Sequence, residues 1–199
     1  MKIGIIAGSH RENSESERIA KYIEKNLKSL SASTFLFSLA KNPLPLFDEG
    51  LWKNEEPWMS KWTPVSRELV SCDGFVIISP EWSGMVPAGL KNFFLLIRSE
   101  FAHKPGMIVS VSSGISGSYP VVELRTSSYK NTRICYIPDH VIVRNCQTML
   151  QEENPSNDHD KNLRIRINYS LKVLLEYSKA FGAIRESGII DTKSFPHGM

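Results

Sequence analysis

Ile3-Gly4-Ile5-Ile6-Ala7-Gly8-Ser9-His10-Arg11-Glu12-Asn13-Ser14-Glu15-Ser16 reads as a short buried strand that runs into a small, hydroxyl-rich loop and then into the first turn of a helix. Such a junction makes an anion site, because free backbone N–H groups and the positive end of the helix dipole converge on one point. Ser9, Ser14 and Ser16 add hydroxyl donors, and Arg11 adds a fixed charge with a planar fork suited to phosphate. The same serines would also serve as plain helix caps, and the loop alone leaves both readings open.

The glycine spacing narrows the ligand. There is no G-x-x-x-x-G-K-[ST], which argues against a Walker-type nucleotide site, and no G-x-G-x-x-G follows the strand. The cradle fits one terminal phosphate monoester, and flavin mononucleotide (FMN) is the commonest such ligand of a small α/β domain. At 199 residues the chain is expected to form a single domain over 1–199, with a tail from about 187. A net charge of +3, carried by scattered basic residues, does not suggest nucleic acid. No apolar run reaches membrane-spanning length. Cys72, Cys135 and Cys146 lack metal-ligand or disulfide spacing, so no metal site is expected and the cytosol is the expected compartment.

Outward from the first strand, strands and helices alternate. Strands are expected at Lys2–Ala7, Thr34–Leu39, Gly74–Ser79, Met107–Ser112 and Arg133–Val143, the last interrupted near Pro138. Helices are expected at about 16–30, 58–72 (broken near Pro64), 88–98, 119–130 and 161–181, and a long surface loop over Asn42–Pro57. This alternation implies right-handed crossovers and a parallel sheet between helix layers: a flavodoxin-like three-layer sandwich of strand order 2-1-3-4-5. Unusual Gly/Ser/Pro chemistry gathers after the first, third and fourth strands, which are neighbours in that order, so their loops would form one crevice. Phe93-Phe94-Leu95-Leu96-Ile97 is apolar around nearly the whole helix. One sheet covers one face, so the other is expected to meet a second protein surface, unless the Asn42–Pro57 loop buries it. Trp52, Trp58 and Trp62 read as anchors of a loop and helix.

These residues resemble the NADPH-dependent FMN reductases, the flavodoxin-like group that includes quinone, chromate and azo-dye reductases. Gly8-Ser9-His10-Arg11-Glu12-Asn13-Ser14 is similar to the family's G-S-x-R-x-x-S loop, Leu44-Pro45-Leu46-Phe47-Asp48 to L-P-L-[YF]-[DN], Pro80-Glu81-Trp82-Ser83-Gly84 to P-E-Y-N-G, and Leu90-Lys91-Asn92 to L-K-N. Trp82, Ser83 and Ser16 stand where the family has Tyr, Asn and often Asn. The resemblance implies FMN with Ser9, Arg11, Ser14 and Ser16 around its phosphate, Pro80, Glu81, Trp82, Ser83 and Gly84 along the ring and ribityl chain, and Ser113, Gly114 and Gly117 closing the other side. It implies an NAD(P)H oxidoreductase working by ping-pong hydride transfer through flavin N5, with a quinone, azo, nitro or flavin-type acceptor and no protein side chain needed as acid or base. It also implies a homodimer or homotetramer. The Glu81 carboxylate is expected to point to solvent or a partner, and His10 to be a solvent-exposed loop residue. The competing readings are an FMN-binding electron-transfer or sensory module, against which the slightly basic charge argues, and a flavin-free nucleotide glycosyl transferase, which would need more carboxylates at the crevice than Glu81.

Overall fold

The computed structural model describes residues 1–195, and the last four residues of the tail expected from about 187 lie outside them. The strands β1 (Lys2–Ala7), β2 (Ser33–Ser38), β3 (Gly74–Pro80), β4 (Pro105–Val111) and β5 (Cys135–Val143) pair in parallel in the order β2-β1-β3-β4-β5, as expected. β1 is apolar on both faces because both are covered. Ile3, Ile5 and Ala7 face α1 (Glu15–Ser29) and α7 (Asp158–Glu186), which bury Ile19, Ile23, Leu27, Ile167, Leu171 and Leu174 at helical spacing. Ile6 faces the opposite layer of α2 (Gly50–Lys53), α3 (Trp58–Lys61), α4 (Thr63–Val70), α5 (Ala88–Leu96) and α6 (Ser118–Ser127).

That second layer corrects two expectations. The 42–57 loop contains α2, while the helix expected over 58–72 is broken near Pro64 as expected, into two helices that part at Trp62 with Pro64 in the first turn of α4. The outer face of α5 does not wait for another protein. Phe93 packs on Phe37, Trp62, Phe94 and Phe101, and within this segment only Leu95, 61% accessible, faces solvent. Trp58 and Trp62 are buried beneath α2–α4, while Trp52 remains exposed against the edge of Phe47.

β5 bulges where proline was expected to interrupt it. Gly106 pairs with Tyr136 and Ile108 with His140, so Ile137 to Asp139 stand opposite the single residue Met107. Pro138 has no N–H to give, and the Arg125 guanidinium takes the carbonyls of Ile137 and Pro138 at 2.7 and 3.0 Å.

α7 begins earlier than its apolar periodicity suggested, because Asn157 caps it and accepts from the Asp160 N–H at 2.9 Å. Asp160 is itself buried and accepts from the N–H groups of Leu150 (3.0 Å) and Ser156 (3.1 Å) and from Arg164 (3.1 Å). Burial alone would push its carboxyl up, but Arg164 and the two N–H donors outweigh it and hold the pKa below the usual range. A carboxylate with a depressed folded pKa stabilises the fold above its unfolded pKa, about 3.9, and loses that contribution as pH falls through the lower folded value. Asp160→Asn is therefore expected to lower unfolding free energy at pH 7 by about 1.5–3 kcal/mol, with the gap to the parent closing at strongly acid pH. Urea midpoints at pH 7 and at pH 3 or below check this.

Candidate functional site

β1 and β3 are adjacent, but the chain leaves β1 toward α1 and β3 toward α5, on opposite faces, so a crevice opens between their carboxyl ends. Gly8 makes the junction possible. Its N–H donates to Ile78 O at 2.8 Å, and a Cβ there would lie 2.6 Å from that oxygen and from Leu90 Cδ2. The chain then turns through Asn13, at φ 50°, into α1. Ser14 caps α1 by accepting from Glu17 N at 3.2 Å, and Ser9 Oγ accepts from Arg11 N at 3.3 Å. The backbone N–H groups of residues 12–16 donate to no acceptor among the described residues. The start of α1 thus leaves unpaired N–H donors, and Asn13, Ser14, Glu15 and Ser16 line the cleft beside it.

The cleft beside them has a volume of ≈ 400 Å³ and is lined by Ser9, Arg11, Ser14, Ser16, Pro80, Glu81, Trp82, Ser83 and Ser113 of the residues singled out from sequence. Gly84, Gly114 and Gly117 lie outside that lining. Gly84 completes a tight turn in which Trp82 and Met85 exchange backbone hydrogen bonds at 3.1 and 2.9 Å, with Ser83 and Gly84 both at positive φ (51° and 73°). Asn-Gly is the favoured pair for such a turn, so Ser83 holds a left-handed conformation without asparagine's local hydrogen bonding. Gly117, at φ 105°, lets α6 start against β5, since a Cβ there would be 2.4 Å from Ile142 Cγ2.

The Glu81 carboxylate turns inward, not to solvent. Its Oε2 accepts from Gly117 N at 2.8 Å and ties the loop after β3 to the loop after β4, while Oε1 is buried with no donor. Glu123 holds the same β3 loop from α6, accepting from Val86 N at 2.7 Å and pairing with Lys91 at 2.5 Å. Burial raises the Glu123 pKa, but Lys91 and the Val86 N–H bring it below the usual value. Arg11 makes no ion pair among the described residues; its guanidinium lies 5.2 Å from the Trp82 ring, which is 44% accessible. His10 is exposed, as expected.

Asn13, Glu15, Val111, Cys146 and Gln147 also line the cleft and were missed. Cys146 and Gln147 belong to a short 3-10 turn after β5, which no motif marks. Arg18 on α1 brings that turn to the cleft by donating to the carbonyls of Cys146 (2.7 Å), Met149 (3.0 Å) and Leu150 (2.8 Å), and it neutralises Glu15 at 2.5 Å. Burial pushes the pKa of the Cys146 thiol up.

A family model described as NADPH-dependent FMN reductase matches residues 1–148. The NADPH azoreductase of Bacillus sp. (strain OY1-2) is 26% identical over 144 residues, covering 72% of this chain and 76% of that protein. The FMN-dependent NADPH-azoreductase of Staphylococcus aureus (strain USA300) is 27% identical over 127 residues, covering 63% and 68%. Among solved structures, FerB, a flavoenzyme NAD(P)H:(acceptor) oxidoreductase from Paracoccus denitrificans, superposes with a TM-score of 0.73 at 15% identity over 90% of this chain and 98% of its own.

The inward Glu81 makes a direct forecast. Glu81→Ala is expected to speed amide hydrogen exchange at Gly117 by about tenfold or more, the equivalent of one lost charge-assisted bond. Glu81→Gln, which keeps an acceptor oxygen, retains most of the protection. Residue-resolved exchange by NMR reads both.

Proposed function

This chain belongs to the NADPH-dependent FMN reductase family, and on that premise we propose that its cleft at the β1–β3 switch point grips FMN by the phosphate and serves electron transfer from NADPH to a planar aromatic acceptor. The observation that carries the reading is the run of unpartnered N–H groups at residues 12–16 beside an unpaired Arg11. These groups suit a phosphate dianion, which needs several donors and an uncommitted cation. Buried Ser9 and Ser16 lie in the same wall; of the two acids in residues 12–16, Glu15 is paired with Arg18, and Glu12 is exposed and does not line the cleft. The remaining volume, walled by Pro80, Val111 and Ser113 and rimmed by Trp82, suits a flat ring system.

FMN held there would supply the redox chemistry between NADPH and the acceptor. The chain's own groups bind and orient. The α1 N-terminus and Arg11 hold the phosphate; the Trp82–Met85 turn, kept in place by Glu81 and Glu123, presents an aromatic face at the open rim. No side chain need act as acid or base. Azo compounds are the acceptor class that the named relatives favour, with quinones, nitroaromatics and free flavin as further candidates. An FMN-loaded sample that oxidises NADPH with an azo dye or quinone meets this reading; FMN binding without NADPH turnover would make the chain a carrier or sensory module.

The assembly we propose is a homodimer, or a pair of dimers, formed over Met85, Tyr119 and Val122, all exposed, with Tyr119 packed beside the Gly84 turn. Sedimentation velocity is expected to give a dimer or tetramer, and a monomer at micromolar concentration would remove it. For the cofactor, Arg11→Ala is expected to weaken FMN binding by about 1.5–3 kcal/mol. Fluorescence titration measures it, and unchanged affinity would reassign the loop.

A further inference from the structure

The aromatic layer that covers α5 contains a second cavity, of ≈ 310 Å³, away from the cleft. Its floor is apolar: Leu51, Trp58 and Trp62 are all buried, and exposed Met59 and Val70 form the rim. Arg67 on α4 and Arg98, just past α5, line the same cavity, and neither guanidinium has an ion-pair or hydrogen-bond partner among the described residues. Glu100 is the acid of the lining, and it is 4% accessible. Both its oxygens are committed: Oε1 accepts from Ser66 Oγ at 2.7 Å and Oε2 from Arg98 N at 2.6 Å. It pins the turn after α5 to α4 and ion-pairs with neither guanidinium, so the two arginines outnumber the single carboxylate of the lining.

We propose that this cavity is a binding site for a small aromatic monoanion, a carboxylate or sulfonate on one or two fused rings. The floor rewards burial of a ring, and the volume lies at the lower end of that found for small-molecule sites. Two unpaired guanidiniums reward an oxyanion that takes bidentate hydrogen bonds. A cation would meet two like charges, and a neutral ring would leave both uncompensated. The site shares no lining residue with the cleft, so the two ligands bind independently.

Isothermal titration calorimetry with 1-naphthalenesulfonate, with and without saturating FMN, tests this. The expected result is one site per chain with the same affinity in both conditions. Affinity is expected to fall about tenfold or more in Arg67→Gln/Arg98→Gln, as for loss of a hydrogen bond to a charged group. The cationic analogue 1-naphthylmethylammonium is expected not to compete. Both arginines are exposed, so the double variant keeps the parent fold, checked by circular dichroism. Absence of binding, equal binding by the double variant, or displacement of the sulfonate by FMN would each overturn the proposal. Because the FMN-free arm stands alone, failure here is distinct from failure of the cofactor reading.

Discussion

The carboxyl edge of the sheet depends on how closely Gly8 passes Ile78. With its N–H bonded to the end of β3 and no Cβ to hold α5 away, the chain leaves β1 at a fixed point and direction. Only then can the turn through Asn13 bring the start of α1, with its unpartnered N–H groups, to the wall of the crevice. A side chain at Gly8 would meet backbone on one side and a core leucine on the other, so the course of the loop after β1 and the packing of the central strands are one constraint.

Around that point the loops are held by charged groups bonded to backbone. Arg18 takes three carbonyls of the segment after β5, Arg144 takes those of Ile115 and Ser116 at 2.7 and 3.0 Å, and Glu81 and Glu123 take N–H groups of Gly117 and Val86. Ordering a loop costs conformational entropy at every residue, and a charge-assisted bond offsets more of it than a neutral one. The cleft is thus walled by connectors that carry little apolar burial of their own.

The layer from α2 to α5 works differently. Phe37, Trp62, Phe93, Phe94 and Phe101 meet in edge-on and offset contacts around the α5 helix. This layer consumes the apolar surface that the helix would otherwise offer to a second chain. Exposed apolar residues lie on the β3 turn and α6, beside the cleft, at the rim of the second cavity, and on α7, where Ile165, Tyr169, Tyr177 and Ile184 face outward.

The strand order and the turn after β1 into a capped helix were legible in the residues alone, because both are local or periodic. Continuous β-branched runs such as Gly74-Phe75-Val76-Ile77-Ile78 can only be buried on two faces, and Gly8-Ser9 before Ser14 can only be a tight turn into a cap. Nine of the twelve residues singled out line the cleft, since they sit at the end of β3, in the loops after β1, β3 and β4, or at the start of α1. Cys146 and Gln147 were not legible: what brings them there is Arg18, 128 residues away from Cys146 along the chain, and no spacing records such a contact. The inward turn of Glu81 and the burial of Phe93 likewise depended on partners, Gly117 and Trp62, that only the folded chain supplies. Local sequence determined where the backbone turns and which segments must be buried; tertiary structure decided which distant group each polar or aromatic side chain would meet, because that choice is made by packing and not by period.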